Sequence, residues 1–269
     1  MPFRVETFNR IDDAAQALSS NPSARIFGGG TLLMRGVNQG TQRFDTLIRV
    51  TDPAFNDIRI EGERIVLGAG TTMVQIMAHR DLDFLTAPAR AVGGPAVRNA
   101  ATVGGNINAP APYGDFATAL LALGAQVHLA GQSAGEISIE DFLRDRENQR
   151  NRMVQSVSFA KPRDPNAFKF HKVSRVKPKG ISVIAMAALL SRDRGATRVA
   201  YGNMAPTPVR VPPVEQALEG ISLSANAIQP ALNVATQGLT PPTDALASEW
   251  YRREIAPVHL RRMLLGETG

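Results

Sequence analysis

Apolar positions along the chain fall into short runs whose spacing switches between the two-residue period of a strand and the longer period of a helix. Phe3–Phe8 reads as a strand and Ile11–Ser20 as a helix, with Asp12 and Asp13 suited to its first turn. Ala24–Phe27 is then a short strand, Thr31–Asn38 a helix and Asp45–Val50 a further strand, which makes a compact β-α-β-α-β unit. Ile58–Leu67 alternates on both sides of Glu61-Gly62-Glu63 and predicts a hairpin. Helices follow at Thr72–His79 and Phe84–Val92. The segment from Gly93 to Gly114 is rich in Gly, Asn and Pro and is too long and irregular for a plain connector; such loops bind something or move. Phe116–Leu123 returns to helix, and strands at Gln126–Leu129 and Met153–Phe159 flank a charged stretch.

Lys161-Pro162-Arg163-Asp164-Pro165 marks a boundary by its proline and charge content. Beyond it, Ala167–Ser174, Ser182–Ser191 and Arg198–Met204 suit a three-stranded antiparallel sheet, with helices near Val214–Leu218, Ala225–Ala235 and Ser248–Leu265. The expected class is α+β, with a first domain over 1–162, in lobes of about 1–55 and 56–162, and a second, smaller domain over 166–267 that joins the sheet to a helical bundle.

Two glycine-rich turns carry the chemistry. Gly28-Gly29-Gly30-Thr31 links a strand to a helix, and Val97-Arg98-Asn99-Ala100-Ala101-Thr102-Val103-Gly104-Gly105-Asn106 lies in the irregular segment. Glycine lacks Cβ, so a ligand can reach the main chain, and successive amides form a nest for an anion. The first turn alone reads equally as a tight connection; the pair points to a diphosphate held between two loops. Neither turn is the dinucleotide fingerprint or a P-loop, because no G-x-G-x-x-G spacing and no Lys-Ser or Lys-Thr pair is present there.

Ala24–Arg35 (ARIFGGGTLLMR) and Gly94–Gly124 (GPAVRNAATVGGNINAPAPYGDFATALLALG) resemble the two flavin-binding segments of the FAD-binding medium subunit of the xanthine dehydrogenase and carbon monoxide dehydrogenase family, the molybdenum hydroxylases. Lys172-Val173-Ser174-Arg175, Gly180-Ile181-Ser182-Val183, Gly202-Asn203-Met204-Ala205-Pro206-Thr207-Pro208 and the stretch Tyr251–Leu264 are similar to that family's C-terminal domain. The resemblance implies a two-lobed FAD-binding domain of the PCMH type. It further implies non-covalent FAD, and an electron-transfer role beside a molybdenum-cofactor large subunit and a [2Fe–2S] small subunit. The cofactor contacts it implies are Ile26, Phe27, Gly28, Gly29, Gly30, Thr31, Leu32, Leu33, Arg98, Thr102, Gly104, Gly105, Asn106, Asn108, Tyr113, Asp115, Val154 and Lys172.

Residue chemistry supports several of these and leaves others open. Thr31 and Thr102 offer hydroxyls, and Asn106 and Asn108 offer amides. Asp115 reads either as an acceptor for ribityl hydroxyls or as a helix cap. Tyr113 packs on the cofactor or within its loop. Arg98 faces a phosphate or bonds neighbouring carbonyls. Two departures from the family pattern stand out. Leu32 takes the place of a polar residue, often Asp, after Gly-Gly-Thr, and Val176-Lys177-Pro178-Lys179-Gly180 is basic where NAD-reducing relatives carry an acidic cluster. The second change argues against NAD as the acceptor.

Composition narrows the choice further. The 269 residues are 43% hydrophobic, enough for a sizeable core without disulfides or metal. Cysteine is absent, which excludes a cysteine-ligated cluster, thiol chemistry and disulfides in this chain. His79, His128, His171 and His259 lack metal-ligand spacing, and no metal site is expected. The net charge of +6 is spread along the chain apart from clusters at Arg144–Arg152 and Lys169–Lys179, which read as solvated surface or a subunit contact, not as a nucleic-acid site. No leader pattern and no membrane-spanning run is seen, so the expected location is cytoplasmic, or periplasmic only if a partner with a signal carries the chain. Two rival readings are a self-contained flavin oxidase of the vanillyl-alcohol-oxidase type and a flavin-free docking subunit. Neither flavin loop holds a His or Cys for the covalent link common in the first.

Overall fold

A computed structural model describes residues 4–176, 180–191 and 196–267. Two compact units are assembled from segments that alternate along the chain. The first takes Met1–His79, Gly94–Ala109 and Ala125–Lys161; the second takes Arg80–Gly93, Pro110–Gly124 and Pro162–Gly269.

In the first unit, β1 (Arg4–Phe8), α1 (Ile11–Ser20), β2 (Ala24–Ile26), α2 (Leu33–Asn38) and β3 (Thr46–Val50) form a parallel sheet in the order β1-β3-β2. Central β3 is the most apolar strand and the best covered: Thr46, Leu47, Ile48 and Val50 are buried and only Arg49 is exposed. This fits a parallel strand flanked on both sides. A second, antiparallel sheet runs β4-β5-β8-β6-β7, built from β4 (Ile58–Glu61), β5 (Arg64–Gly68), β6 (Gln126–Ala130), β7 (Gly135–Ser138) and β8 (Met153–Ala160). The β4–β5 hairpin turns at Gly62, whose φ of 64° lies in the left-handed region. Helix α1 buries Ile11, Ala14, Ala15 and Leu18 and touches strands of both sheets.

Four helices in this unit depart from the expected pattern. α2 begins at Leu33, two residues later than predicted, because the preceding backbone stays in the glycine turn. The segment expected as a long loop contains α5 (Pro95–Arg98), with proline at its first position, and α6 (Val103–Ile107), capped by the Thr102 hydroxyl. The charged stretch between β6 and β8 hides β7 and α8 (Ile139–Arg144), capped by Ser138. α3 (Met73–Ala78) opens with a capping box between Thr72 and Gln75.

In the second unit, β9 (Phe168–Ser174), β10 (Ser182–Leu189) and β11 (Arg198–Gly202) form the expected antiparallel sheet, and the two-residue β12 (Val209–Arg210) extends it beside β11. α4 (Thr86–Ala91) and α7 (Asp115–Ala122) pack on this sheet. All eight residues of α7 are buried, as befits a helix apolar around its whole circumference. It sits close because the facing strand positions are small: Gly202 pairs with Ala185 and Ala200 with Ala187, and a Cβ on Gly202 would come within 2.6 Å of Thr118 Oγ1. The bundle is α9 (Pro212–Ala217), α10 (Gln229–Asn233) and α11 (Glu249–Leu265), closing a core around Ile184, Met186, Tyr201, Val214, Leu260 and Met263.

Arg252 is the largest fully buried side chain here, at 0% exposure. Its guanidinium bonds the carbonyls of Val183 (3.1 Å), Ala247 (3.0 Å) and Pro242 and grips both oxygens of Asp244 at 3.0 and 2.9 Å. Burial opposes ionisation of Asp244, but the amides of Ala247 and Leu246 and the Arg252 cation outweigh it and hold the carboxyl below its ordinary value. Arg252→Met should cost about 3 kcal/mol or more, because it orphans three carbonyls and a carboxylate. Urea unfolding of wild type and variant measures this, and a loss under about 1 kcal/mol would contradict the assignment. The depressed Asp244 contributes stability above pH ~4 that disappears as pH falls through its folded value, and the variant should lose the share of that acid dependence that Arg252 supplies.

Candidate flavin site

The two glycine turns meet in the first unit. A Cβ on Gly28 would come within 2.8 Å of Thr102 Oγ1, and one on Gly29 would overlap the Ala100 carbonyl oxygen. Gly30 adopts φ 68°, and its missing Cβ leaves room for the Phe27 ring. The first turn is therefore glycine because it lies directly against the second.

The amides of the two turns are used differently. Among the described residues, the backbone N–H groups of residues 28–33 donate no hydrogen bond, so a continuous run of donors is presented from the turn into the start of α2. Such a run is short of acceptors and favours an anion. In the second turn the amides of residues 103–106 are already occupied, whereas that of Thr102 donates no hydrogen bond. Val103 donates to Thr71 O at 2.9 Å, Gly104 to Ala69 O at 2.8 Å, Gly105 to Thr102 Oγ1 at 3.1 Å and Asn106 to Thr102 O at 3.0 Å. The carboxamides of Asn106 and Asn108 turn back on α6, donating to Thr102 O and Gly104 O at 2.9 Å each. Gly104 also packs closely: a Cβ there would stand 3.0 Å from Ala69. Sequence alone does not reveal this division, because two of the acceptors, the carbonyls of Ala69 and Thr71, come from some thirty residues away and the other two from Thr102 itself.

Beside the turns, Phe27, Gly28, Arg49, Phe55, Asn56 and Thr102 line a cavity of about 260 Å³. Arg49, Phe55 and Asn56 were not signalled by any motif; the parallel pairing of β2 with β3 places Arg49 there. Ile26 ends β2, Leu32 is the residue before α2 and Leu33 its first residue. Arg98 closes α5, half-buried, and Val154 is a buried position of β8.

The second unit holds a separate polar cluster. Asp115 is the first residue of α7, with Gly114 at φ 92° in the cap position, so the helix-cap reading of Asp115 is displaced by one residue. Its Oδ2 accepts from Lys172 Nζ at 2.8 Å and its Oδ1 from Ser182 Oγ at 2.5 Å. Lys172 also donates to Ala91 O at 2.7 Å, and its side chain and that of Asp115 are about nine-tenths buried. Asn203, in the left-handed region at φ 63°, donates to Ser182 O at 2.8 Å and to Pro112 O at 3.3 Å. The carboxylate is thus fixed in orientation while each oxygen retains lone-pair capacity. Ser182 and Asn203 escaped notice as site residues because their role depends on β10 and β11 lying beside α7. Tyr113 borders a pocket of about 10 Å³ in this unit, room for about one water.

Lys177 and Lys179 of the basic segment lie outside the described residues. His171 and His259 share a hydrogen bond of 2.9 Å, and His128 bonds Ser158 Oγ at 2.7 Å. Among the described residues no group of three or more His, Asp or Glu converges, and no helix is long and apolar enough to cross a membrane.

Residues 1–161 match the family described as the FAD binding domain in molybdopterin dehydrogenase, and residues 169–266 match the CO dehydrogenase flavoprotein C-terminal domain. The putative xanthine dehydrogenase FAD-binding subunit of Escherichia coli K12 is 24% identical, over 94% of this chain and 92% of its own length. The nicotinate dehydrogenase FAD-subunit of Eubacterium barkeri is 27% identical, over 85% and 83%. Among solved structures, a chain of carbon monoxide dehydrogenase from Hydrogenophaga pseudoflava superposes with a TM-score of 0.87 at 22% identity, covering 98% of this chain and 96% of that one, which establishes a shared fold. Glycine turns, fold and family models agree, and this chain belongs to the FAD-binding medium subunits of the molybdenum hydroxylases, the xanthine dehydrogenase and carbon monoxide dehydrogenase family.

Proposed function

We propose that this chain carries non-covalent FAD as the electron-transfer subunit of a heteromeric molybdenum hydroxylase, between a [2Fe–2S] subunit and an external acceptor other than NAD. The observation that carries the reading is the run of undirected amides at residues 28–33, packed by glycine against Ala100 and Thr102. Residues fit the group: the donors suit a diphosphate, and neither turn supplies a His or Cys to attach the ring covalently. FAD supplies two-electron redox chemistry with one-electron exchange toward a cluster. The protein's share is to bind and orient. The amides of residues 28–33 hold the diphosphate, the Thr102 wall limits its movement, and Asp115, pre-set by Lys172 and Ser182, is the proposed acceptor for ribityl hydroxyls. With no cysteine in 269 residues, a cysteine-ligated cluster belongs to a partner chain, and so does substrate oxidation at molybdenum. The basic Val176–Gly180 sequence is the basis for an acceptor other than NAD.

Acid precipitation should release the yellow chromophore to the supernatant, and chromophore retained in the pellet would refute non-covalent attachment. Thr31 is exposed, so Thr31→Asp should leave the melting temperature within about 2 °C while weakening FAD binding tenfold or more, through a carboxylate beside the diphosphate. Unchanged affinity would remove the first turn as the cradle. In the reconstituted complex, substrate should reduce an artificial dye much faster than NAD, and the isolated chain should not be reduced by substrate at all. Steady-state and stopped-flow rates decide both points: equal NADH formation refutes the acceptor, and rapid reduction of the isolated chain refutes the subunit role.

A further inference from the structure

Arg49 stands apart from the other residues of β3. Its four neighbours on the strand are buried, whereas Arg49 is exposed and lines the cavity that Gly28, Thr102, Phe27 and Asn56 also border. The register explains the placement. Ile48 pairs with Ile26, and its carbonyl accepts from Phe27 N at 2.7 Å, so the next residue on β3 lies alongside the entry to the first glycine turn. Among the described residues the Arg49 side chain makes no ion pair and no hydrogen bond, while its backbone lies in the β1–β3 ladder. Its nearest acidic neighbour in sequence, Asp52, is committed elsewhere, accepting from Ile11 N at 3.2 Å and from Ala54 N at 3.1 Å. Other arginines of this unit are tied up: Arg25 donates to Pro22 O and Ala24 O, Arg146 to Ala109 O, and Arg59 pairs with Glu61.

The remaining lining is apolar or neutral, so one guanidinium sets the sign of the cavity's field. A planar cation with five donors and no acceptor matches a phosphate, and it opens onto the same space as Gly28, the first residue of the amide run. At about 260 Å³ the cavity far exceeds the ~30 Å³ share of a single water. We propose that Arg49 is a positioning residue for the dinucleotide, pairing with a phosphate of its adenosine-diphosphate half in the cavity beside Gly28 and Thr102. The inference rests on the FAD reading above and adds a side-chain cation to a cradle otherwise made of backbone.

The test uses the full-length, flavin-free protein and measures binding by calorimetry and flavin fluorescence, with FAD, ADP and riboflavin as the three probes. Wild type should bind FAD and ADP. Arg49→Gln should bind both about tenfold to a hundredfold more weakly. Its affinity for riboflavin, which has no phosphate, should stay within twofold of wild type. Arg49→Lys keeps the charge but not the fork and should fall between the two. A merely structural role would weaken riboflavin and FAD alike and would leave Arg49→Lys no better than Arg49→Gln. Arg49→Gln binding FAD and ADP within twofold of wild type, or weakening all three probes equally, overturns the role of Arg49. Wild type that binds none of the probes overturns the FAD reading itself.

Discussion

The structure of the first unit turns on a position where no side chain fits. A Cβ at Gly29 would occupy the place of the Ala100 carbonyl, and one at Gly28 would press on Thr102. With glycine at both, the strand-to-helix turn packs against the second loop, and its amides are left without a protein acceptor. A backbone donor without a partner is costly once water is excluded. The turn is therefore an unfinished hydrogen-bonding surface, and an anion completes it. Glycine achieves this by allowing main chain to pack on main chain, which differs from simply clearing a path for the ligand.

Roles are divided as a result. The second turn is finished internally over residues 103–106: Thr71, Ala69 and Thr102 accept those amides, and Asn106 and Asn108 brace α6. It acts as a rigid wall, held to the start of α3 by the bridge between Thr72 and Thr102. The second unit applies a comparable logic with side chains. Lys172 and Ser182 each take one oxygen of Asp115, and Asn203 fixes the backbone around Ser182, so a buried carboxylate is neutralised and aimed at once. Breaking such a pair leaves a buried charge unmatched, which is why the cluster acts as one device.

Much of this was legible in the sequence because local patterns carried it. The βαβαβ start, the hairpin at Gly62 and the three long strands of the second unit follow from alternation and turn residues alone. Helices α5 and α6 were hidden because Gly, Asn and Pro dominate their segment; what makes them helical is a proline at the first position of one and a threonine cap on the other. The glycine turns announced themselves, but which turn keeps its amides free depends in part on the carbonyls of Ala69 and Thr71, some thirty residues away, and no local pattern reports that. The same holds for Arg49, Ser182 and Asn203, which reach their places through strand register and helix packing instead of through a motif.

Amide hydrogen exchange, followed residue by residue in the flavin-free and FAD-loaded protein, tests the central claim most directly. Amides at residues 28–33 should exchange fast without flavin and become strongly protected on loading, while those at 103–106 should already be slow and change little. Protection that appears at 103–106 and leaves 28–33 exchanging as before would contradict the account.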